Sequence, residues 1–435
     1  MKKLGQSASS FPTRSSIRPN AGSWPKRGAS FLFCSLLTVS VAGSLCLTRE
    51  AFSRVRLVPQ EHKTIQKAID VAEWGDTILV SPGTYKETLT LRTTVSLIST
   101  KGAAKTIIDA GRRGVALICE HVDSTATIQG FTFKNGVGLN GGGLLLSSSF
   151  ARVEDNVFTA DSAQYGGGLC ALWSNSVIKN NKFVNNKAQY GGAIYAMFIS
   201  PTFDSNLLQE NRAEIGGGFY FSRSCEAKTN GNRIIGNIAK TGGGAYLNKC
   251  SPSLAGNIFK SNRAEEGGGI FAYHAGGIIK ENVFLENKAS RGAGVALVDT
   301  VGPDVVNNTI VRNSAPDSLC SGIYFSSTYM NVTNNVIADN SPGYAIYCTS
   351  GATPVLSCNI LWNNPTGNYY GVVTRTADLY EDPLFCSPGK EDFTVQEGSP
   401  ALGRDCGNIG AKNKGCSASK TSGRGRAQKA KTGAK

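Results

Sequence analysis

The charged side chains are the first candidates for chemistry in this sequence. A calcium-dependent lyase needs several carboxylates around one metal ion, and a glycosidase needs two carboxylates close together. Counted along a motif that repeats about every 25 residues, the charged residues fall into columns whose sign alternates from one repeat to the next. The columns are Glu154, Lys179 and Asp204; Glu214, Lys240 and Glu265; Glu266, Arg291 and Asp317; and Glu286, Arg312 and Asp339. This alternation predicts cross-strand ion pairs, and it disperses the carboxylates instead of gathering them.

Catalytic residues therefore stay unassigned, and the sequence predicts neither a metal site nor a cofactor. Candidate carboxylate pairs exist, but Glu154 and Asp155 are adjacent and are expected to point to different faces of a strand. The histidines are only His62, His121 and His274, too few for a histidine-rich metal site or an evident Ser-His-Asp triad. We expect His121 and His274 on the surface of the repeats.

Four aromatic residues form a candidate binding site. Tyr195, Tyr220, Tyr246 and Phe271 occupy one position after the glycines in successive repeats. If their neighbours Ile194, Phe219 and Ile270 point inward, alternation along the strand turns the four rings outward. An exposed row of this kind suits stacking on sugar rings or docking of a partner protein. The alternative is a self-stacking ladder of rings that only shields the sheet.

The repeat that positions these residues is Asn-x-apolar-x-x-Asn, followed by a small residue and a glycine pair. We call its apolar residue the anchor. The anchors are Phe133, Phe158, Phe183, Leu208, Ile234, Phe259, Phe284, Ile310, Ile337 and Leu361. A repeat of this length has room for three short strands and three turns but not for a useful helix. The sequence thus predicts an all-β fold, a right-handed parallel β-helix of about ten coils, each coil being one repeat.

Two asparagine rows flank the anchors, and both are predicted to be structural. One row contains Asn181, Asn206, Asn232, Asn257, Asn282, Asn308, Asn335 and Asn359, and the other contains Asn186, Asn211, Asn237, Asn262, Asn287, Asn313, Asn340 and Asn364. Identical amides one coil apart can donate and accept hydrogen bonds along a continuous ladder. Asparagine also tolerates the left-handed backbone of a sharp turn.

The ends of the solenoid must be covered, because they would otherwise be open sheet edges. The segment from Thr64 to Glu73 places Ile65, Ala68, Ile69 and Ala72 on one helical face, which predicts a short capping helix at the front. We expect the irregular region from about 366 to 411 to close the back.

Charge and hydropathy divide the chain into three parts. The formal net charge of +14 comes from the ends, since residues 1–30 and 412–435 contain basic but no acidic residues, and it predicts no specific nucleic-acid recognition by the neutral body. An apolar run at 31–47 follows the basic start, so residues 1–50 are predicted to be a basic region with a signal peptide or anchor for export. Residues 51–411 are the predicted β-helix domain. Residues 412–435 are predicted to be a disordered tail that binds an acidic envelope polymer or anionic lipid, or that only increases solubility.

Ten of the twelve cysteines follow the apolar run, an even number that fits an oxidising compartment. Cys225 and Cys250 stand at the same distance before the anchors of their repeats, so they should stack on adjacent coils within reach of a disulfide. Two buried free thiols are the alternative.

Several segments resemble known families. TIQKAID at Thr64 to Asp70, GDTILVSPGTYKE at Gly75 to Glu87 and TIIDA at Thr106 to Ala110 resemble the opening of the pectin-lyase-like superfamily of secreted β-helix proteins. FVNN at Phe183, GGAI at Gly191 and FKSN at Phe259 are similar to repeats of chlamydial polymorphic outer-membrane proteins. EDPLF at Glu381 and GSPALG at Gly398 resemble the closing segment of exported bacterial β-helix proteins.

This resemblance implies a fold more firmly than an activity, because the superfamily includes lyases, glycosidases, epimerases and non-catalytic adhesins. The motifs of its polygalacturonase branch are missing from the sequence. We therefore expect an exported, non-catalytic surface module that binds a polysaccharide or a cell-surface protein. The alternative is a polysaccharide lyase or glycoside hydrolase of the same fold.

Overall fold

A computed structural model describes residues 53–417 except 199, 300, 301, 318, 350, 372, 373 and 404. The predicted basic region and apolar run, and the tail from 418 onward, lie outside the described residues. The described chain winds through three long parallel sheets that run the length of a solenoid. The two 12-stranded sheets indicate about twelve coils, slightly more than the ten expected from the repeats alone.

Each coil contributes one short strand to each long sheet. Sheet 1 consists of Val55–Val58, Thr77–Val80, Ser96–Ser99, Thr127–Gln129, Arg152–Glu154, Val177–Lys179, Thr202–Asp204, Lys228–Asn230, Ser253–Ala255, Ile278–Lys280, Asp304–Val306, Asn331–Thr333, Val355–Ser357 and Thr374–Thr376. Sheet 2 consists of Gly83–Tyr85, Thr106–Asp109, Thr132–Lys134, Val157–Thr159, Lys182–Val184, Leu207–Gln209, Arg233–Ile235, Ile258–Lys260, Val283–Leu285, Thr309–Val311, Val336–Ala338 and Ile360–Trp362. Sheet 3 consists of Leu89–Leu91, Leu117–Glu120, Leu144–Ser147, Leu169–Leu172, Ile194–Met197, Phe219–Ser222, Ala245–Asn248, Ile270–Tyr273, Val295–Val298, Cys320–Ser326, Tyr344–Cys348 and Tyr369–Tyr370.

The anchors lie on sheet 2 and stack in register, which confirms the repeat. Phe158 pairs with Phe133 on one side and with Phe183 on the other, and their rings stack with centroids 5.1 and 4.8 Å apart. Every anchor is at most 1% exposed. Burial of these side chains inside the three sheets supplies the main driving force for folding.

The capping helix is also confirmed. Helix α1 spans Ile65–Asp70, and its N-cap is Thr64, whose hydroxyl accepts a hydrogen bond from the Lys67 amide at 3.3 Å. Its buried residues are Ile65, Ala68 and Ile69. Along the described stretch, no helix combines the length and the apolar character needed to cross a membrane.

Both asparagine rows form continuous ladders. Asn257 Oδ1 accepts hydrogen bonds from the backbone amide and the Nδ2 of Asn232, at 3.0 and 2.9 Å. The amide and Nδ2 of Asn257 donate in turn to Asn282 Oδ1, at 2.9 and 3.0 Å. The first row ends on Asp378, whose Oδ1 accepts both hydrogen bonds from Asn359. The ladders therefore satisfy buried polar groups at two corners of each coil.

Asp161 replaces the asparagine at the start of the second row. In that row Asn186 Nδ2 donates to the Phe158 carbonyl at 3.0 Å, and by register the corresponding carbonyl for Asp161 is that of Phe133. Asp161 Oδ2 is buried and has no hydrogen-bond partner among the described residues. Burial raises the pKa of Asp161 well above its usual range, and the nearby Asp109 carboxylate raises it further. Hydrogen bonds from backbone amides, such as that of Gly136, lower the pKa but do not cancel the increase. A neutral carboxyl group in this position can donate as an asparagine would.

Replacing Asp161 with asparagine should stabilise the protein at neutral pH by about 1 to 3 kcal/mol, because the amide donates without the cost of protonating a carboxylate on folding or of burying its charge. The folded-state pKa of Asp161 is raised, so its contribution to stability is complete below the pKa of the unfolded chain and is lost as pH rises through the folded-state value. Denaturant midpoints measured from pH 4 to pH 8 should converge at low pH and separate at high pH. Equal midpoints at pH 8 would show that Asp161 is already satisfied when ionised.

The region expected to close the back divides into two parts: Tyr369–Tyr370 and Thr374–Thr376 are the last strands of sheets 3 and 1, and the chain from Phe385 onward packs on the side of the solenoid. Phe385–Ser387, Asp392–Gln396 and Lys414–Cys416 form a small sheet, with a 3₁₀ turn at Pro388–Lys390. Its residues Phe393 and Val395 pack against Val283 and Val311 on the outer face of sheet 2. The disulfide Cys358–Cys406 ties this region to the solenoid, and Cys386–Cys416 links two strands of the small sheet. The folded chain therefore extends beyond the predicted boundary at 411.

Candidate functional site

The predicted aromatic row exists, but its rings are not exposed. Tyr195, Tyr220, Tyr246 and Phe271 stack in sequence with centroids 5.0 to 5.4 Å apart. They lie on the outer face of sheet 3, as alternation predicted, yet Tyr195 and Tyr220 are only 6% and 7% exposed. The expectation of an open aromatic surface is therefore wrong, and the self-stacking ladder describes the row.

A second layer of chain covers this row. Val137–Asn140, Ser162–Tyr165 and Lys187–Tyr190 form a short parallel sheet beside sheet 3. From it, Tyr165 meets Tyr195 edge-on at 5.1 Å and Tyr190 meets Tyr220 at 5.7 Å. Burial raises the pKa of the Tyr195 and Tyr220 hydroxyls above their usual value. These tyrosines are thus neutral packing residues.

Cys225 and Cys250 are buried free thiols, so the proposed disulfide between them is wrong. Neighbours in a parallel stack have nearly parallel Cα–Cβ bonds, whereas a disulfide needs these bonds to converge. Cys250 Sγ donates instead to the Phe221 carbonyl at 3.5 Å. Burial raises the pKa of the Cys225 thiol to about 12.

Three of the four charged columns contain an ion pair between neighbouring members, and the column of Glu214, Lys240 and Glu265 shows none among the described residues. Lys179 and Asp204 lie 3.9 Å apart, Arg312 and Glu286 lie 3.4 Å apart, and Arg291 pairs with Glu266. Asp317 does not lie beside Arg291 as its column predicted. The residue paired with Arg291 on the next coil by a backbone β-bridge is Cys320, and Asp317 accepts a hydrogen bond from Ser290 instead. Within the part of the chain that the structure describes, no group of three or more His, Cys, Asp and Glu residues could hold a metal ion.

A different surface, at the corner between sheets 3 and 1, collects exposed side chains of mixed chemistry. One residue per coil adopts the left-handed backbone there, immediately after its sheet 3 strand, with φ between 45° and 60°. We call these residues the corner column. They are His121, Ser148, Trp173, Phe198, Arg223, Lys249, His274, Asp299 and Ser327. His121 and His274 are exposed on it, in agreement with the sequence analysis.

The third and fourth residues of the corner column, Trp173 and Phe198, are aromatic. Trp173 is 52% exposed, and its ring stacks on that of Phe198 with centroids 5.4 Å apart. Phe150, which follows the corner residue of the preceding coil by two positions, is 41% exposed. Large apolar side chains left open beside one another are typical of an interaction surface.

The next two corner residues are basic. Arg223 follows Phe198 in the stack, and Lys249 follows Arg223. Both side chains are exposed, and neither forms an ion pair with any described residue. The same corner therefore presents two positive charges on adjacent coils.

The last part of the corner column lines a polar groove of about 700 Å³. Its polar lining comes from Ser251, His274, Asp299, Ser327, Tyr329 and Thr353. The Tyr329 side chain is 61% exposed. Thr328, also in the lining, is 3% exposed, and its hydroxyl has no hydrogen-bond partner among the described residues. The groove thus offers hydroxyl groups, one carboxylate, one imidazole and an open aromatic ring to a polar ligand.

His274, Asp299 and Ser327 lie in the groove in an order that does not support nucleophilic catalysis. In a catalytic triad the histidine lies between the nucleophile and the acid. Here Asp299 is stacked between the other two, and the structure shows no side-chain hydrogen bond among the three. Asp299 is also the only carboxylate that lines the groove in the described chain, whereas glycoside hydrolysis needs two.

The sequence analysis missed this corner because its residues share no type. The asparagine and anchor rows repeat the same side chain, but the corner column mixes aromatic, basic and polar residues. The available signal was the distance of 15 residues from the anchor to the following corner residue, which holds from Phe133 with Ser148 to Phe284 with Asp299.

Comparison with known proteins identifies the architecture. A family model described as right handed beta helix region matches residues 113–310 and 266–380. Similar solved structures include XylC in complex with xylose, at 9% identity over 77% of this chain and 87% of that chain, with a TM-score of 0.47. They also include the catalytic unit of a GH87 α-1,3-glucanase from Streptomyces thermodiastaticus, at 10% identity over 73% and 64% with a TM-score of 0.41. Pectate lyase Pel9A matches at 11% identity over 83% and 97%, with a TM-score of 0.37. No curated protein sequence matches the chain.

Proposed function

The chain belongs to the right-handed β-helix family. We propose that it is an exported, non-catalytic module that binds a glycan in the polar groove at the end of the corner column. The observation that carries this proposal is the groove itself, where the exposed ring of Tyr329 stands among hydroxyl groups. Sugars present hydroxyl groups along their edges and apolar C–H groups on their faces, so such a lining complements them.

Two further observations support the proposal. The disulfides Cys358–Cys406 and Cys386–Cys416 fit an oxidising, extracytoplasmic compartment. The single carboxylate in the groove favours binding over the alternative of a lyase or glycoside hydrolase. The basic residues from 412 onward are proposed to bind an acidic envelope polymer or anionic lipid and so retain the module at a surface.

The test is binding of the full chain to a panel of neutral and acidic polysaccharides. Replacing Tyr329 with alanine should weaken binding about tenfold, because a lost aromatic contact of this kind costs about 0.5 to 1.5 kcal/mol in addition to the lost buried area. Tyr380→Ala is a matched control, since Tyr380 is 50% exposed and lies outside the groove. Binding of a protein but of no glycan would overturn the glycan assignment. Release of unsaturated or reducing sugar ends would overturn the non-catalytic assignment.

A further inference from the structure

Arg223 and Lys249 are stacked on adjacent coils, unlike the alternating columns, in which a basic residue lies on an acidic one, as in Lys179 with Asp204 and Arg291 with Glu266. Two other exposed basic pairs are also stacked in this way, Lys187 with Arg212 and Arg263 with Lys288, but neither belongs to the corner column. Like charges on adjacent strands repel each other, and a pair of this kind is destabilising. At the corner, two cations are adjacent and no described side chain neutralises them. Glu226 is exposed on the same turn as Arg223, but it forms no ion pair with either cation, and exposed Lys228 adds a further positive charge.

We propose that Arg223 and Lys249 bind the anionic groups of an acidic polysaccharide whose chain extends along the corner column from the polar groove to the Trp173–Phe198 pair. This inference rests on the proposed glycan-binding function and specifies the class of glycan. The guanidinium of Arg223 can bind a carboxylate or sulfate through two parallel hydrogen bonds, and the Lys249 ammonium supplies a second charge one coil away.

The geometry of the corner suits an extended polymer more than a compact ligand. Successive corner residues are separated by the spacing of neighbouring strands, about 4.8 Å, so the five steps from Trp173 to Asp299 span about 24 Å. Along this line the ligand would meet aromatic rings, then the two cations, and then the groove. Asp299 would repel an anionic group placed in the groove itself, so the acidic groups of the ligand belong over Arg223 and Lys249.

An anionic lipid surface offers similar negative charges, but it fits this corner less well. The Trp173 and Phe198 rings are stacked on each other with an interplanar angle of 13°, and the surface continues into a concave polar groove that contains a carboxylate. A flat membrane would contact neither the floor of the groove nor Thr328. An acidic polymer can neutralise both cations and fill the groove at the same time.

The experiment compares the double variant Arg223→Ala/Lys249→Ala with Lys182→Ala/Arg233→Ala in the full chain. The control pair removes the same charges from exposed positions on sheet 2 that also lack ion pairs. The probes are polygalacturonate, an uncharged dextran, and vesicles containing phosphatidylserine. We expect the corner variant to bind polygalacturonate at least tenfold more weakly and with less dependence on salt, because its ionic contacts are gone. The control variant should change affinity less than threefold, and circular dichroism should match the wild type for both.

The outcomes separate this inference from the proposed function. Suppose that the wild type binds dextran and that the corner variant binds polygalacturonate as tightly as the wild type does. This result would overturn the assignment of an acidic glycan and leave the proposal of glycan binding intact. If the wild type binds vesicles but not polygalacturonate, and the corner variant no longer binds vesicles, the assignment of an acidic polysaccharide would be overturned in favour of a lipid surface. Failure of the wild type to bind either polysaccharide in this assay would count against both proposals.

Discussion

Replacing Asn257 with leucine should lower the free energy of unfolding by about 3 kcal/mol or more. The change removes Asn257 Oδ1, which accepts two hydrogen bonds from Asn232, and Asn257 Nδ2, which donates to Asn282 Oδ1 and to Thr229 Oγ1. Each buried polar group left without a partner costs about 1 to 3 kcal/mol. Leucine is similar in size, so the loss reflects the ladder and not a cavity. Denaturant-induced unfolding measures the difference.

Asn331→Leu is the control for this substitution. Asn331 is exposed on sheet 1 and its side chain bonds only to Asp304, also at the surface. We expect its midpoint to stay close to that of the wild type, since such surface changes usually fall within about 0.5 kcal/mol. Equal midpoints for both variants would contradict a structural role for the ladder.

Replacing Gly166 with alanine should destabilise the protein by about 3 kcal/mol or more. Gly166 has a φ of 67°, a conformation that costs other residues about 1 to 2 kcal/mol. A Cβ atom added there would also lie 2.0 Å from the Leu169 carbonyl oxygen, so the backbone of the turn would have to shift. Overpacking of this kind typically adds about 1 to 3 kcal/mol. Thermal or denaturant-induced unfolding detects the loss.

Gly389→Ala provides the comparison, because no atom lies within 4 Å of the Cβ that it would add and its φ is not positive. Its stability should remain within about 0.5 kcal/mol of the wild type. A Gly166 variant that is equally stable would show that the turn can relax without cost.

The repeat was predictable because its residues share a type as well as a position. Anchors and ladder asparagines recur at one spacing, and the structure stacks them in register. The glycines were located less accurately. The position with positive φ is the one occupied by Gly141, Gly166, Gly191, Gly216, Gly242, Gly267 and Gly292. In most coils it precedes the glycine pair of the repeat, such as Gly142-Gly143 and Gly167-Gly168. Alanine replaces glycine once at each of the two following positions, at Ala293 and Ala193, so the first position is the one that holds glycine in all of these coils.

Burial of the tyrosine row depended on contacts that the repeat does not encode. Alternation placed Tyr195 and Tyr220 on the outer face correctly, but Tyr165 and Tyr190 cover them from a segment with no obvious strand pattern. The C-terminal sheet is a similar case of long-range packing. The face of sheet 2 on which the C-terminal sheet packs was indicated in the sequence. The anchor Phe284 is flanked by Val283 and Leu285, so that strand has apolar residues on both faces.

The side-packed C-terminal sheet gives the solenoid two unlike ends. A coil is held mainly by the coils before and after it, so a solenoid tends to unwind one coil at a time from a free end. The last coils cannot separate in this way while Cys358 is bonded to Cys406 and the small sheet lies across Val283, Val311 and Val336. At the front, the described residues show noncovalent packing of helix α1 against neighbouring strands and no disulfide. Under tension or at the threshold of unfolding, the rod should therefore unravel from its helix-capped end toward the clamped one.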